Sequence, residues 1–242
     1  MDNRLKEIVD NLDNLLIGVD EPFTFHCTCC GKCCINREDI LLNPKDLFNI
    51  AKEFGLRPLD VVNQYCEYYI GGDSRIPIVR LKPRGTVKRC PFLKERKCSI
   101  HKSKPTVCAT FPIGRCLNTT PNDGKEIVFH VEDIQYIFNR PGCGDDAETH
   151  TVREWFEDFG IPLDDEYFIK WHGTVAKASK YIHEAEKKFS SKTMETVWDA
   201  VFVYLYIDYD IQQDFMPQFE KNSEKVLQIL STIPSVGGNK NE

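Results

Sequence analysis

The chain has 242 residues, 41% of them apolar and 11% aromatic, with a formal net charge of −6. That is ample for a packed core in one large or two small domains. It excludes a membrane-spanning helix, because the longest apolar run, Ala200 to Ile207, falls far short of the roughly 20 residues a span needs. No apolar signal-peptide core opens the chain, so a soluble cytoplasmic protein is expected.

Residues 2–17 place Leu5, Ile8, Val9, Leu12, Leu15 and Leu16 on one helical face, which Gly18 and Pro22 end. This N-terminal helix, within residues 1–24, is expected to pack on the unit that follows. A cysteine-dense loop comes next, Cys27-Thr28-Cys29-Cys30-Gly31-Lys32-Cys33-Cys34. Asn43-Pro44 then reads as a cap with Pro at the first helical position, for a helix running to Phe54 and closed by Gly55. Arg57 to Ile70, opened by Pro58 and ended by Gly71-Gly72, predicts a second helix with Cys66 inside it. Ile76 to Leu81 and Glu126 to Val131 predict short strands. From Thr149 onward the periodicity turns helical, over 151–160, about 164–189, about 193–207 and 217–231, with breaks at Gly160-Ile161-Pro162, Ser190-Ser191 and Pro217. The expected fold is therefore α+β, mainly α. A loop-rich, metal-stabilised cysteine-cluster domain spans 25–145, and an acidic α-helical bundle spans 146–242.

Charge divides along the same line. Residues 1–145 carry 21 basic and 19 acidic side chains, a balance of +2, while residues 146–242 carry 10 and 18, a balance of −8. Between 75 and 104, 11 cations, among them Arg89, Lys94, Lys97 and Lys104, face the single acid Glu95 around Cys90 and Cys98. Cations beside an anionic thiolate cluster would lower thiol pKa values and favour the bound form. A solvated basic loop is the plainer reading. No recognition helix or aromatic platform accompanies the charge, so nucleic acid is not the expected partner.

All 11 cysteines lie between positions 27 and 143. The odd count, the two vicinal pairs and the missing signal segment argue against a disulfide framework. Five thiols in eight residues point instead to shared metal. Cys27, Cys30 and Cys33 stand at C-x2-C-x2-C spacing, which resembles the iron–sulfur ligand run of bacterial ferredoxins, and Gly31 frees the backbone to curl the sulfurs inward. Cys66, set among Val61, Val62, Tyr65 and Tyr69, reads as a small buried hydrophobe.

A second group reads Cys90-Pro91-Phe92-Leu93, Cys98-Ser99-Ile100-His101, Lys104-Pro105-Thr106-Val107-Cys108 and Pro141-Gly142-Cys143-Gly144. With the first loop, it resembles the CxxCxxCC family, the YkgJ-like cysteine-cluster proteins, described as a zinc- or iron-chelating domain. That resemblance covers residues 25–144 and implies metal ligation by Cys27, Cys30, Cys33, Cys34, Cys90, Cys98, Cys108 and Cys143. Lys104 stands where the family usually has Arg. Cys29 and Cys116 fall outside the pattern. His101, where the family often has Tyr, is expected beside the ligands rather than on the metal, and His26 at the surface.

Eight thiolates suit two four-ligand sites, or one cluster with reserve thiols. The favoured cofactor is an iron–sulfur cluster, with zinc the alternative. Three functions follow as expectations. One is a metal-cluster protein with a redox or protein-modification role. Another is a structural zinc module, and in either case the acidic helical domain would meet a protein partner or substrate. The third, implied by the resemblance, is a lysine N-methylase-like enzyme. Neither the C-x3-C-x2-C triplet of radical chemistry nor a Gly-rich nucleotide loop is present to support it. Asp145-Asp146 and Asp164-Asp165 read as helix N-terminal charges rather than acid–base machinery.

Overall fold

In the computed structural model, which describes residues 10–37, 39–118 and 128–233, the chain is mainly helical with small antiparallel sheets. Part of the expected first helix lies in residues 1–9, outside the described residues. Its described end, Leu12–Leu15, stops because Leu16 is extended (φ −60°, ψ 137°). Leu16 and Ile17 pair instead with Ile137 and Tyr136. The strand Pro22–His26 alternates, burying Phe23 and Phe25, and pairs with Asp145–Thr151.

Asn43 caps the helix Pro44–Phe54 as expected. Its side chain accepts the Asp46 amide while the Asp46 carboxylate accepts the Asn43 amide, and Gly55 at φ 62° closes the far end. The second helix opens at Pro58 but reaches only Tyr65, which corrects the expected span to Ile70. Cys66–Ile70 is a strand paired along its length with Pro77–Leu81. Aromatic and β-branched residues there gain a cross-strand ladder in place of a further helical turn. The strand Pro77–Leu81 is central, with Leu41–Leu42 on its other edge and Pro77, Val79 and Leu81 buried. The strand expected at 126–131 is displaced. Residues 126 and 127 lie outside the described residues, Val131–Asp133 is a 3-10 turn, and the strand is Ile134–Phe138, which buries Tyr136.

The four expected later helices are Val152–Glu157, Glu166–Glu186, Ser191–Phe202 and Phe215–Thr232. The third continues as a π turn, Val203–Ile207. Pro217 falls in the first turn of the last helix, where its missing N–H has no intrahelical partner to lose.

The apolar core crosses the expected 145/146 boundary. Leu47, Ile50, Val61, Val79 and Ile100 share one cluster with Ala178, Ile182, Met194, Leu205 and Leu230. Polar contacts repeat the crossing, since Trp198 Nε1 donates to the Arg75 carbonyl (2.9 Å) and Arg75 pairs with Glu186 (2.6 Å). A second cluster gathers Phe23, Phe25, Ile113, Tyr136, Val152 and Phe156. A third is aromatic, joining Phe48 to Tyr167, Tyr209, Phe215 and Phe219.

Leu205 is fully buried in the shared cluster. Leu205→Ala is expected to lower the unfolding free energy by about 2–5 kcal/mol. Fluorescence and near-UV circular dichroism should report one common transition; two resolved transitions would mean that the halves on either side of residue 145 unfold independently.

Candidate metal centre

Sheet register brings the first and last of the eight cysteines together. Asp145 pairs with His26, so Cys27 leaves one strand where Cys143-Gly144 enter its neighbour. Gly144 has φ +75°, and a Cβ there would stand 2.5 Å from the His26 carbonyl and 2.6 Å from the Phe25 ring. Only glycine permits that approach. Gly31, at φ 74°, turns the chain into the 3-10 segment Lys32–Cys34. The Cys30 thiol is pulled below its ordinary value by the Lys32 amide first, then by the Gly144 amide and the Thr28 hydroxyl. Burial, with Cys33, Cys30 and Cys27 nearby, pushes Cys143 up.

The remaining thiols lean on the main core. The Cys90 amide donates to the Cys34 carbonyl at 2.8 Å, and the Asn36 amide to the Val87 carbonyl at 3.1 Å. These bonds fasten the loop before Cys90 to the first cysteine loop. Leu93–Lys94 and Lys97–Cys98 form a small hairpin, and Cys90, Cys98 and Cys108 pack against the shared cluster. Burial raises all three thiols. Cys108 rides on the short helix Thr106–Ala109, which is anchored by a buried carboxylate. Asp46 accepts both the Thr106 amide (2.8 Å) and hydroxyl (2.7 Å).

At the junction, the Cys33 and Cys34 sulfurs are 3.8 Å apart. Cys33 is pulled down, chiefly by a hydrogen bond from the Cys34 thiol and then by Arg37 and Lys104, whereas donating to Cys33 pushes Cys34 up. Arg37 is largely enclosed, donates to the Cys33 carbonyl at 3.4 Å and pairs with Asp39. The cations that act on the thiols are thus Arg37, on Cys33 and Cys108, and Lys104, on Cys33 and Cys98. Arg89, Lys94 and Lys97, from the same basic run as Lys104, are exposed.

Among the described residues no three Cys, His, Asp or Glu side chains converge in ready metal-bonding geometry. What suits a metal is the donor set: eight thiols drawn from four separate stretches, of which hydrogen bonds and two cations pull Cys30 and Cys33 toward thiolate while burial raises most of the others. Cys66 is buried in the core, its thiol pushed up to about 12 by burial, and packs as a hydrophobe. Cys116 lies in the strand Ile113–Leu117, raised by burial with no thiol among the causes. Cys29, exposed at φ 51°, stands beside Cys27. His101 meets the Phe159 ring at 6.2 Å, and His26 lies at the surface against Asp145 at 3.0 Å. Arg37 and Asp46 escape sequence reading. The Asn43–Asp46 cap is legible locally, but the Thr106 that shares Asp46 is 60 residues away.

Residues 26–132 match the model of the CxxCxxCC family, described as "Putative zinc- or iron-chelating domain", which supports metal binding by this stretch. No curated protein and no solved structure matches the chain. Cys143 lies beyond the matched residues, although the fold sets it beside Cys30.

Asp46 carries the clearest pH dependence. Burial raises its carboxyl to about 6 despite the hydrogen bonds from Thr106 and Asn43. The folded chain therefore holds this proton more tightly than the unfolded chain. The resulting stability is complete below the ordinary carboxyl pKa of about 4 and is lost as pH rises through about 6. Relative to Asp46→Asn, the wild type should lose on the order of 3 kcal/mol between about pH 4 and 7. Denaturant titrations of both proteins check this; a difference that does not vary with pH would contradict it. Gly144→Ala should cost about 1–3 kcal/mol, read as a fall in melting temperature.

Proposed function

We propose that this is an iron–sulfur protein whose eight cysteines act as two groups of four. Cys27, Cys30, Cys33 and Cys143 form one group at the end of the strand pair, and Cys34, Cys90, Cys98 and Cys108 form the other on the edge of the main core. The observation that supports this reading is which thiols act on one another: Cys143 feels Cys27, Cys30 and Cys33, Cys34 feels Cys90 and Cys108, and Cys33, 3.8 Å from Cys34, borders both groups by acting on Cys90 and Cys98 as well. The ferredoxin-like spacing of Cys27, Cys30 and Cys33 favours iron–sulfur over zinc, which asks only for four thiolates in a tetrahedron.

When bound, such a cluster supplies one-electron chemistry, and a redox role follows from it. The chain's own contribution is electrostatic and positional. Amides of Lys32 and Gly144 donate toward Cys30, Arg37 and Lys104 offset the negative charge of the thiolates, and burial around Cys108 limits the approach of water. The zinc reading would make the same thiols a structural staple, with binding free energy serving as folding free energy.

Anaerobic purification separates the two. A brown protein with broad visible absorption, iron and acid-labile sulfide is expected; a colourless protein holding zinc would overturn the iron–sulfur reading. The partition has its own test. Cys143→Ser and Cys90→Ser should each remove about half of the bound metal, and Cys66→Ala none. Complete loss from either single variant would mean one shared site.

A further inference from the structure

A cleft of about 600 Å³ opens between the start of helix Pro44–Phe54, the stretch from His101 to Arg115, and the segment from Phe159 to Val175. Its volume lies within the range of small-molecule sites. Phe159, Phe168 and Trp171 give it flat aromatic walls, with Ile76, Ile113 and Val175 adding aliphatic surface.

Charge in the lining is unbalanced once internal partners are matched. Among the described residues its carboxylates are Asp46 and Asp165. Asp46 is taken up by Thr106 and Asn43, and Asp165 by Arg115 at 2.7 Å, both side chains buried. Arg115 also lies 4.3 Å over the Phe168 ring. Lys45 rests over Tyr167 at 5.3 Å and Lys104 over Phe159 at 5.3 Å. Lys102 is exposed at the rim. Lys45, Lys102 and Lys104 thus meet the cleft with no carboxylate of the described lining left to match them, although Lys104 also acts on the Cys33 and Cys98 thiols.

His172 adds a polar point inside. Its Nδ1 lies 2.8 Å from the Phe168 carbonyl, which can only accept, so Nδ1 carries the proton and Nε2 is an acceptor in the neutral ring. The wall formed by Thr106, Val107 and Ala109 belongs to the same short helix as Cys108. The cleft and the thiols are therefore two faces of one element.

We propose that this cleft binds a small organic anion, its flat apolar body between Phe159, Phe168 and Trp171 and its carboxylate or phosphate at Lys102 and Lys104, one helix face away from Cys108. Binding does not depend on which metal the thiols hold. It goes beyond the metal-centre reading by giving that centre a neighbouring ligand.

Calorimetric titration of the full-length protein with benzoate and phenyl phosphate tests this, with benzyl alcohol as the uncharged control. At least one anion is expected to bind saturably at one site, and the two arms tell carboxylate from phosphate. Benzyl alcohol should bind about tenfold or more weakly, and Lys102→Gln/Lys104→Gln should weaken the anion by a similar factor. Lys102→Gln alone, at an exposed position, should weaken it measurably with circular dichroism and metal content unchanged. Metal analysis of each sample separates failure of this site from failure of the thiol centre. The proposal falls if neither anion saturates, if both variants bind like wild type, or if benzyl alcohol binds equally well.

Discussion

Asp46 is a carboxylate closed off from water at the first turn of helix Pro44–Phe54, and three parts of the molecule meet at it. It caps its own helix through Asn43, holds the Cys108 helix through Thr106, and forms part of the cleft wall. A buried carboxyl costs several kcal/mol unless its lone pairs are used. Here Asn43 and Thr106 together supply three donors. Because Phe48 of the same helix packs against Tyr209 and Phe215, the position of Cys108 is tied to the C-terminal helices through rigid elements rather than through loop.

The thiols sit where two cores adjoin. Cys27, Cys30 and Cys143 flank one end of the strand pair that buries Phe23 and Phe25, while Cys90, Cys98 and Cys108 lean on the cluster shared with the later helices. Their loops contain little repeating backbone hydrogen bonding, and single bonds such as Cys90 to Cys34 hold them in place. Metal would therefore add its binding free energy where the protein alone supplies least, which is the usual relation of a chelating loop to its scaffold. The apolar faces of the later helices share the cluster against which Cys90, Cys98 and Cys108 pack.

Charge is sorted by depth. Arg37 and Lys104 act on sulfur, while Arg89, Lys94 and Lys97 are exposed. The density of cations between 75 and 104 is thus mostly a surface property, and Lys104 is the cation of that run that acts on Cys33 and Cys98. As a point charge on a flexible stem, it can reach toward the thiols and still border the cleft.

Local chemistry was legible without a structure. The Asn43-Pro44 cap, the Gly55 stop, the Pro58 start and the four later helices depend on residues within one or two turns of each other, so periodicity and capping residues determine them. The cysteine density and spacing likewise pointed to metal binding, and the family resemblance supplied the eight candidate thiols. Pairing over distance was not legible. Cys66–Ile70 became strand only because Pro77–Leu81 stands beside it, and Ile134–Phe138 displaced the expected strand by pairing with Ile113–Leu117. The approach of Cys143 to Cys27, the hold of Asp46 on Thr106 and the cleft behind Cys108 likewise join residues about 60 to more than 100 positions apart. Such contacts arise from how the cores close, and no local pattern in the chain encodes them.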